Sequence, residues 1–268
     1  MGKDNVPYHS ITFPATLLGT RENWTQVDFL KGMSYLTYEG GKFSKSENRG
    51  IFAEDAIKEF DADYWRYWLM ANAPEGSDSS FDWDLFAGAV NKDLNGVLGN
   101  FVSRVLKMTS SKLGDVVPEG GVYEKSENDL VATLQEKINN YIKYMNEMEF
   151  RKALAELRAI WVEGNNYISV TEPWTVIKAD EQRAKVILRA CINLIRIFAL
   201  LSAPIMPDVS QKMLSKLGVG MITLKDFDVK KEMEFFVGGE KFEVGEMLFE
   251  RITPEKVAEL KEKYGSSK

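Results

Sequence analysis

Four stretches of apolar residues at helical spacing set what this chain can fold into. Between residues 84 and 111, Leu85, Ala89, Leu94, Leu98, Phe101, Val105 and Met108 recur at intervals near three and four, which predicts one long helix with a single apolar face. Further long helices are predicted over residues 128–148, 149–170 and 180–202. The last of these carries Ile187, Ile192, Ile195, Ile197 and Leu200, and runs into Pro204 and Pro207, which end it. A shorter helix over 210–217 precedes Gly218 and Gly220. Long amphipathic helices joined by short connections pack antiparallel, so the centre of the chain is predicted to be a helix bundle.

The flanks read differently. In the first fifty residues, Ile11-Thr12-Phe13-Pro14 has strand-favouring residues broken by proline, and residues 29–38 are short and aromatic before Gly40 and Gly41. This predicts a loop, a short helix and a strand at a β-rich edge, too small to bury a core of its own. It is expected to be the tail of a larger α/β domain. From Ala53 the pattern turns helical, with Ala56, Ile57 and Phe60 on one face and Tyr64, Trp65, Tyr67, Trp68 and Leu69 in a dense aromatic turn. Pro74-Glu75-Gly76-Ser77-Asp78 breaks it, and 114–121 is a loop containing Pro118. Residues 235–245 read as a small strand or turn unit, 254–264 as a last charged helix, and 266–268 as a frayed end.

Composition narrows the function classes. The 44% hydrophobic and 28% charged content is that of a soluble globular protein, and a net charge of −6 argues against indiscriminate binding of nucleic acid through a basic surface. Local RNA contacts through stacked bases stay open. The longest apolar run, near 195–205, is interrupted by Arg196 and Pro204, so no membrane span is expected. Met1-Gly2-Lys3-Asp4 leads straight into a proline-containing segment, so no secretory leader is expected, and cytoplasmic placement follows. Cys191, the single cysteine, lies in an apolar helical pattern and is predicted to be a buried thiol; with one histidine beside it in the composition, a zinc site is not expected. No GxxxxGK[ST] or GxGxxG pattern occurs.

Two constellations carry chemistry. Lys42-Phe43-Ser44-Lys45-Ser46, between Tyr38-Glu39-Gly40-Gly41 and Glu47-Asn48-Arg49-Gly50, puts two ammonium groups in a short polar loop whose backbone N–H groups can approach the same anion. It fits a polyphosphate; taken alone it fits a solvated basic turn equally. Asn100 and Arg104, four residues apart, project from one helix face, and Trp174 offers a flat ring for a base. Spacing alone also fits a surface Asn/Arg pair and a core tryptophan.

Context decides between these readings. The loop resembles the KMSKS loop of class I aminoacyl-tRNA synthetases in its KFSKS form. Gly2-Lys3-Asp4-Asn5-Val6-Pro7-Tyr8-His9 followed by Phe13-Pro14-Ala15 resembles the late catalytic domain of the methionyl-tRNA synthetase family. Asp63-Tyr64-Trp65-Arg66-Tyr67-Trp68-Leu69, with Pro74-Glu75-Gly76, Asp78, Phe81 and Trp83, resembles that family's stem-contact region. Asn100-Phe101-Val102-Ser103-Arg104 and Glu172-Pro173-Trp174 resemble its two anticodon-reading motifs. The likeness runs in order along nearly the whole chain.

The resemblance implies a mainly α fold: an antiparallel helix bundle that binds an anticodon, preceded by the last part of a Rossmann-like α/β catalytic domain. It divides the chain into 1–50 with the KFSKS loop, a stem-contact linker at 51–84, the bundle at 85–225, and a C-terminal extension at 226–268 packing back on the body. It assigns Lys42 and Lys45 to the ATP phosphates as catalytic groups, Ser44 and Ser46 to loop shape, and Phe43 to an apolar anchor where many members have methionine. Gly2 and Asp4 match positions that contact the adenosine ribose. His9 and Phe13 match the methionine pocket, and Asn5 stands there where some members have an aliphatic residue. Asn100, Arg104, Pro173 and Trp174 would read the CAU anticodon, with Lys107, Lys112 and Arg151 as phosphate contacts or solvated charges.

The implied partners are methionine tRNA, methionine, and ATP with Mg2+ as its substrate complex, with no metal site in the chain and no membrane. Class I enzymes of this kind also use a HIGH-type motif, and no such tetrapeptide occurs here. The chain alone is therefore expected to make no methionyl-adenylate, and to need a HIGH-bearing half in the same or a separate chain. The alternatives are a non-catalytic RNA-binding or assembly module built on the bundle, or a related class I enzyme for another amino acid.

Overall fold

The computed structural model describes residues 1–47, 49–220 and 227–265. Its axis is helix α9, Glu181–Ser202, in which every residue from Val186 to Ser202 is buried, as a helix that is apolar nearly all round must be. Asp180 caps it by accepting from the Arg183 N–H at 2.9 Å. Against it lie the hairpin of α6 (Lys125–Asn146) and α7 (Phe150–Thr171) and the shorter α10 (Pro207–Lys216). Cys191 is wholly buried, and burial pushes its thiol well above the ordinary range. Among the described residues no helix is long and apolar enough to cross a membrane.

Helices α7 and α9 approach closely at Gly164, where an added Cβ would stand 2.7 Å from Phe198 Cζ. Phe198 is fully buried against Phe101, centroids 5.2 Å apart, so its ring has nowhere to retreat. Gly164→Ala is expected to destabilise the bundle by about 1–3 kcal/mol through overpacking, measured by urea unfolding. A change below about 0.5 kcal/mol would mean this contact has slack.

The long helix predicted at 84–111 forms over 83–113, in three parts: α4 (Trp83–Ala89), a wider-turn segment Val90–Gly99, and α5 (Asn100–Leu113). Asp82 caps its start by accepting from the N–H groups of Asp84 and Leu85 at 2.7 and 3.1 Å. Tertiary partners accompany the widened turns. Asn91 exchanges hydrogen bonds with the Ile252 backbone, and Asn165 Nδ2 donates to the Val97 carbonyl at 3.2 Å.

One local reading gives way to tertiary context. Ile11-Thr12-Phe13-Pro14 forms no strand: Tyr8–Thr12, in wider turns, leads directly into α1 (Phe13–Gly19), with Pro14 near the junction of the two. The only sheet among the described residues is β1 (Leu36–Tyr38) beside β2 (Ser79–Phe81), parallel, with Tyr38 opposite Phe81. Residues 235–245 take the turn form of the strand-or-turn unit expected there, with an isolated bridge from Lys241 to Val116 and the Val117 N–H donating to the Glu240 carbonyl at 2.7 Å. The frayed end expected at 266–268 and the boundary drawn between 225 and 226 touch residues outside those described.

Helices α2 (Ala53–Glu59) and α3 (Ala62–Ala71) carry the aromatic turn inward. Trp65 stacks on Phe86 with centroids 4.4 Å apart, and Tyr67 and Trp68 are buried beside it. Asp63 is wholly buried, yet paired twice: it accepts from Arg66 Nη1 at 2.7 Å and from the Val209 N–H at 2.8 Å, in the first turn of α10. Of residues 63–69, only Arg66 and Leu69 face solvent. The last helix, α12 (Pro254–Tyr264), packs on α4 and clasps Glu59, which accepts from Lys263 Nζ at 2.6 Å and Tyr264 Oη at 2.8 Å. Lys263 first, then Lys256 and Tyr264, draw the Glu59 carboxyl down to about 2.

Candidate functional site

The phosphate-loop candidate follows directly from β1. Tyr38 and Gly41 exchange backbone hydrogen bonds of 2.7 and 2.9 Å, with Glu39 and Gly40 at positive φ between them. Beyond this turn, Ser44 and Arg49 exchange backbone bonds of 3.0 and 2.8 Å. Ser44 Oγ lies 3.2 Å from Ser46 Oγ and accepts from the Glu47 N–H at 3.3 Å, so both serines shape the loop. Phe43 packs inward, edge-on to Tyr38 at 5.5 Å and to Phe52 at 6.2 Å. Gly50, at φ +101°, leaves the space that the Phe43 ring fills. Lys42 and Lys45 remain on the exposed side, with Lys45 Nζ 5.3 Å from the centre of the Phe52 ring.

The loop's base is tied to the bundle by a buried bond. Trp83 Nε1 donates to Tyr38 Oη at 2.7 Å, and burial pushes that hydroxyl up to about 12. Trp83 opens the helix that continues into α5, so the loop and the Asn100–Arg104 face share one element through its first residue.

A cleft of about 600 Å³ lies between residues 1–33 and the α6–α7 turn, lined in part by His9, Phe13, Val27, Phe29, Met148 and Phe150. His9 and Phe13 therefore share one wall, whereas Asn5 is exposed and does not line the cleft. Gly2 bridges to Met33, and the Asp4 carboxylate accepts from the Tyr35 hydroxyl. Tyr35, Met148 and Phe150 had no sequence signal: they meet these residues only across long separations. Glu75 holds the α6–α7 side by accepting from the Phe150 N–H at 2.5 Å.

On the bundle, the Arg104 guanidinium lies 4.4 Å above the Trp174 ring centre. Pro173 is buried at the start of α8 (Pro173–Val176), after Glu172 takes a left-handed conformation at φ +41°. That reversal aims the indole at α5. Asn100 is exposed one turn before Arg104, and Trp174 is half-buried. Lys107, Lys112 and Arg151 are exposed, and no cation–ring contact with Trp174 includes them. Two sequence-distant motifs thus meet on one surface.

Comparison with known proteins identifies the family. The model of class I tRNA synthetases of the methionine type matches residues 1–106, and that of the anticodon-binding domain of methionyl-tRNA ligase matches 117–268, more than half of the chain. The methionine–tRNA ligase of Cereibacter sphaeroides (strain ATCC 17025) is 46% identical over 98% of this chain and 46% of its own length. That of Ruegeria sp. (strain TM1040) is also 46% identical, over 100% of this chain and 47% of its own. The chain spans about half the length of the curated relatives it matches. Mycobacterium tuberculosis methionyl-tRNA synthetase in complex with methionyl-adenylate superposes with a TM-score of 0.80 at 25% identity, over 93% of this chain and 49% of that one. The apo form superposes at 0.78 with 23% identity, covering 94% of this chain and 49% of that one. Matched by these models over nearly its whole length, the chain belongs to the methionyl-tRNA synthetase family.

Proposed function

We propose that this chain provides the phosphate loop, part of the methionine and adenosine pocket, and the anticodon reader of a methionine–tRNA ligase. The observation that carries the reading is the stacking of Arg104 on Trp174, one turn from Asn100. A guanidinium, an amide and an indole on one exposed face can hydrogen-bond and stack unpaired bases of a CAU anticodon. In the reaction, the methionine carboxylate attacks the α-phosphorus of Mg-bound ATP and pyrophosphate leaves; a terminal ribose hydroxyl of the tRNA then attacks the methionyl carbonyl and AMP leaves. Lys42 and Lys45 stabilise the charge that gathers on the departing phosphates. Asp4 accepts from ribose hydroxyls beside Gly2, and His9 and Phe13 line the methionine side. A HIGH-bearing half completes the site.

Anisotropy of a labelled CAU anticodon stem-loop tests the anticodon role. Trp174→Ala is expected to weaken binding by about 1–3 kcal/mol, the value of one base stacked on an aromatic ring. Changing one anticodon base should weaken binding to the unaltered chain as well. Equal affinity across both changes would remove the anticodon assignment.

A further inference from the structure

Arg49 closes the phosphate loop from below. Its guanidinium Nη2 donates to the Tyr38 carbonyl at 3.1 Å and to the Glu39 carbonyl at 3.3 Å, on the opposite limb of the loop. Its own backbone is paired with Ser44, between the two lysines. The side chain reaches the far limb only because Gly41 lacks a Cβ, which would overlap the guanidinium. One residue therefore joins the turn before Lys42 to the ladder around Lys45.

The far limb needs such a brace. Glu39 takes φ +45° and Gly40 φ +75°, an arrangement that a side-chain-bearing residue adopts only under constraint. Lys42 and Lys45 carry like charge and are both exposed, and the Phe43 ring packs the loop against Tyr38 and Phe52. A polyphosphate gains most from two ammonium groups already held at its spacing, because the ordering has been done before binding. Arginine suits the task where lysine does not: both N–H groups of Nη2 lie fixed in the plane of a rigid guanidinium and meet the two carbonyls in one orientation, whereas an ammonium is a freely rotating point charge on a flexible stem.

We propose that Arg49 is a positioning residue of the phosphate loop, bracing its two limbs through the Tyr38 and Glu39 carbonyls so that Lys42 and Lys45 meet a polyphosphate in one arrangement. The inference rests on the reading of this loop as the ATP-phosphate site. The lysines contribute the charge at the anion, and Arg49 contributes geometry.

Calorimetric titration of the chain with inorganic tripolyphosphate at low ionic strength tests it. The unaltered chain binds, and the double variant Lys42→Ala with Lys45→Ala does not. Arg49→Ala and Arg49→Lys each weaken binding about tenfold or more at an unchanged thermal midpoint, since displaced charges lose most of their effect. Tryptic cleavage after Lys45 accelerates in both. Gly41→Ala keeps Arg49 but displaces its guanidinium, and it weakens binding likewise, which covers the case in which an Arg49 variant folds poorly. Wild-type affinity in Arg49→Ala or Gly41→Ala overturns the inference and leaves the phosphate loop standing. Wild-type affinity in Arg49→Lys overturns it too, because charge alone would then suffice. No binding by the unaltered chain, or binding that survives loss of both lysines, overturns the phosphate-loop reading itself.

Discussion

Glu127→Ala is expected to lower the stability of the bundle by about 3–5 kcal/mol, the range for removing one partner of a buried ion pair. Glu127 has no exposed surface, yet every side of its carboxylate is occupied. Arg183 donates to both oxygens at 2.9 and 2.8 Å, the Tyr167 hydroxyl donates to one, and the Glu124 N–H donates at 2.9 Å. Burial alone would raise its pKa; Arg183, then Tyr167 and the Glu124 N–H, overcome that and hold it below the ordinary value. A depressed carboxyl contributes stability above its unfolded pKa, and that contribution is lost as pH falls through the folded value. Urea unfolding should therefore show a large loss near neutral pH and a shallower acid decline in the variant than in the unaltered chain. A loss below about 1 kcal/mol would mean that water or a shifted helix replaces the carboxylate, leaving Arg183 without an unmet charge. Replacing Glu127 and Arg183 together by apolar residues of similar volume should recover much of the loss, since no orphaned charge is left.

Lys45→Ala, introduced into the whole ligase, is expected to slow ATP–pyrophosphate exchange about 10²–10³-fold, the usual effect of removing one preorganised group from developing charge. This follows from the proposed role of the loop. The ammonium is poised on the exposed side, while Phe43 and the two serines hold the backbone behind it. Because that charge grows as pyrophosphate departs, the loss should fall on kcat, with KM for methionine little changed. A rate within about threefold of the unaltered enzyme would remove Lys45 from the transition state, since threefold is under 1 kcal/mol.

Much of the helical framework was legible because helices declare themselves locally. Helix α12 runs over Pro254–Tyr264 as its charged pattern predicted, and α7 and α9 lie within a residue of their expected limits. Helix α6 starts three residues earlier than its apolar pattern, at Lys125, because Glu124 and Glu127 form a capping box whose signal is polar. The short α11 (Val229–Met233), opened by Asp228 accepting from the Lys230 and Lys231 N–H groups, is too brief to show a period.

Elsewhere local signals misled. The β-branched residues near Ile11 suggested a strand, but β preference is mostly a matter of neighbours, and no strand lies beside them. In the stretch 63–69, Tyr64, Trp65, Tyr67 and Trp68 are buried core, an arrangement that the local pattern of a dense aromatic turn did not specify. Asp63, a charged residue in that run, is the hidden cap of α10.

The sequence by itself determined the bundle, the buried Cys191 and the membership of two local motifs, since 3.6-residue periodicity and short spacings are properties of adjacent residues. It also marked Lys42, Lys45, Asn100, Arg104 and Trp174 one by one. Only the tertiary structure decided which of them meet. Arg104 reaches Trp174, Arg49 reaches the Tyr38 carbonyl, Trp83 reaches Tyr38, and Glu127 reaches Arg183. Most of these pairs join residues far apart in the chain, and even Arg49, eleven residues from Tyr38, depends on the space left by Gly41. Such contacts leave no period to read, because their free energy comes from burial and hydrogen bonding that exist only once the helices have packed.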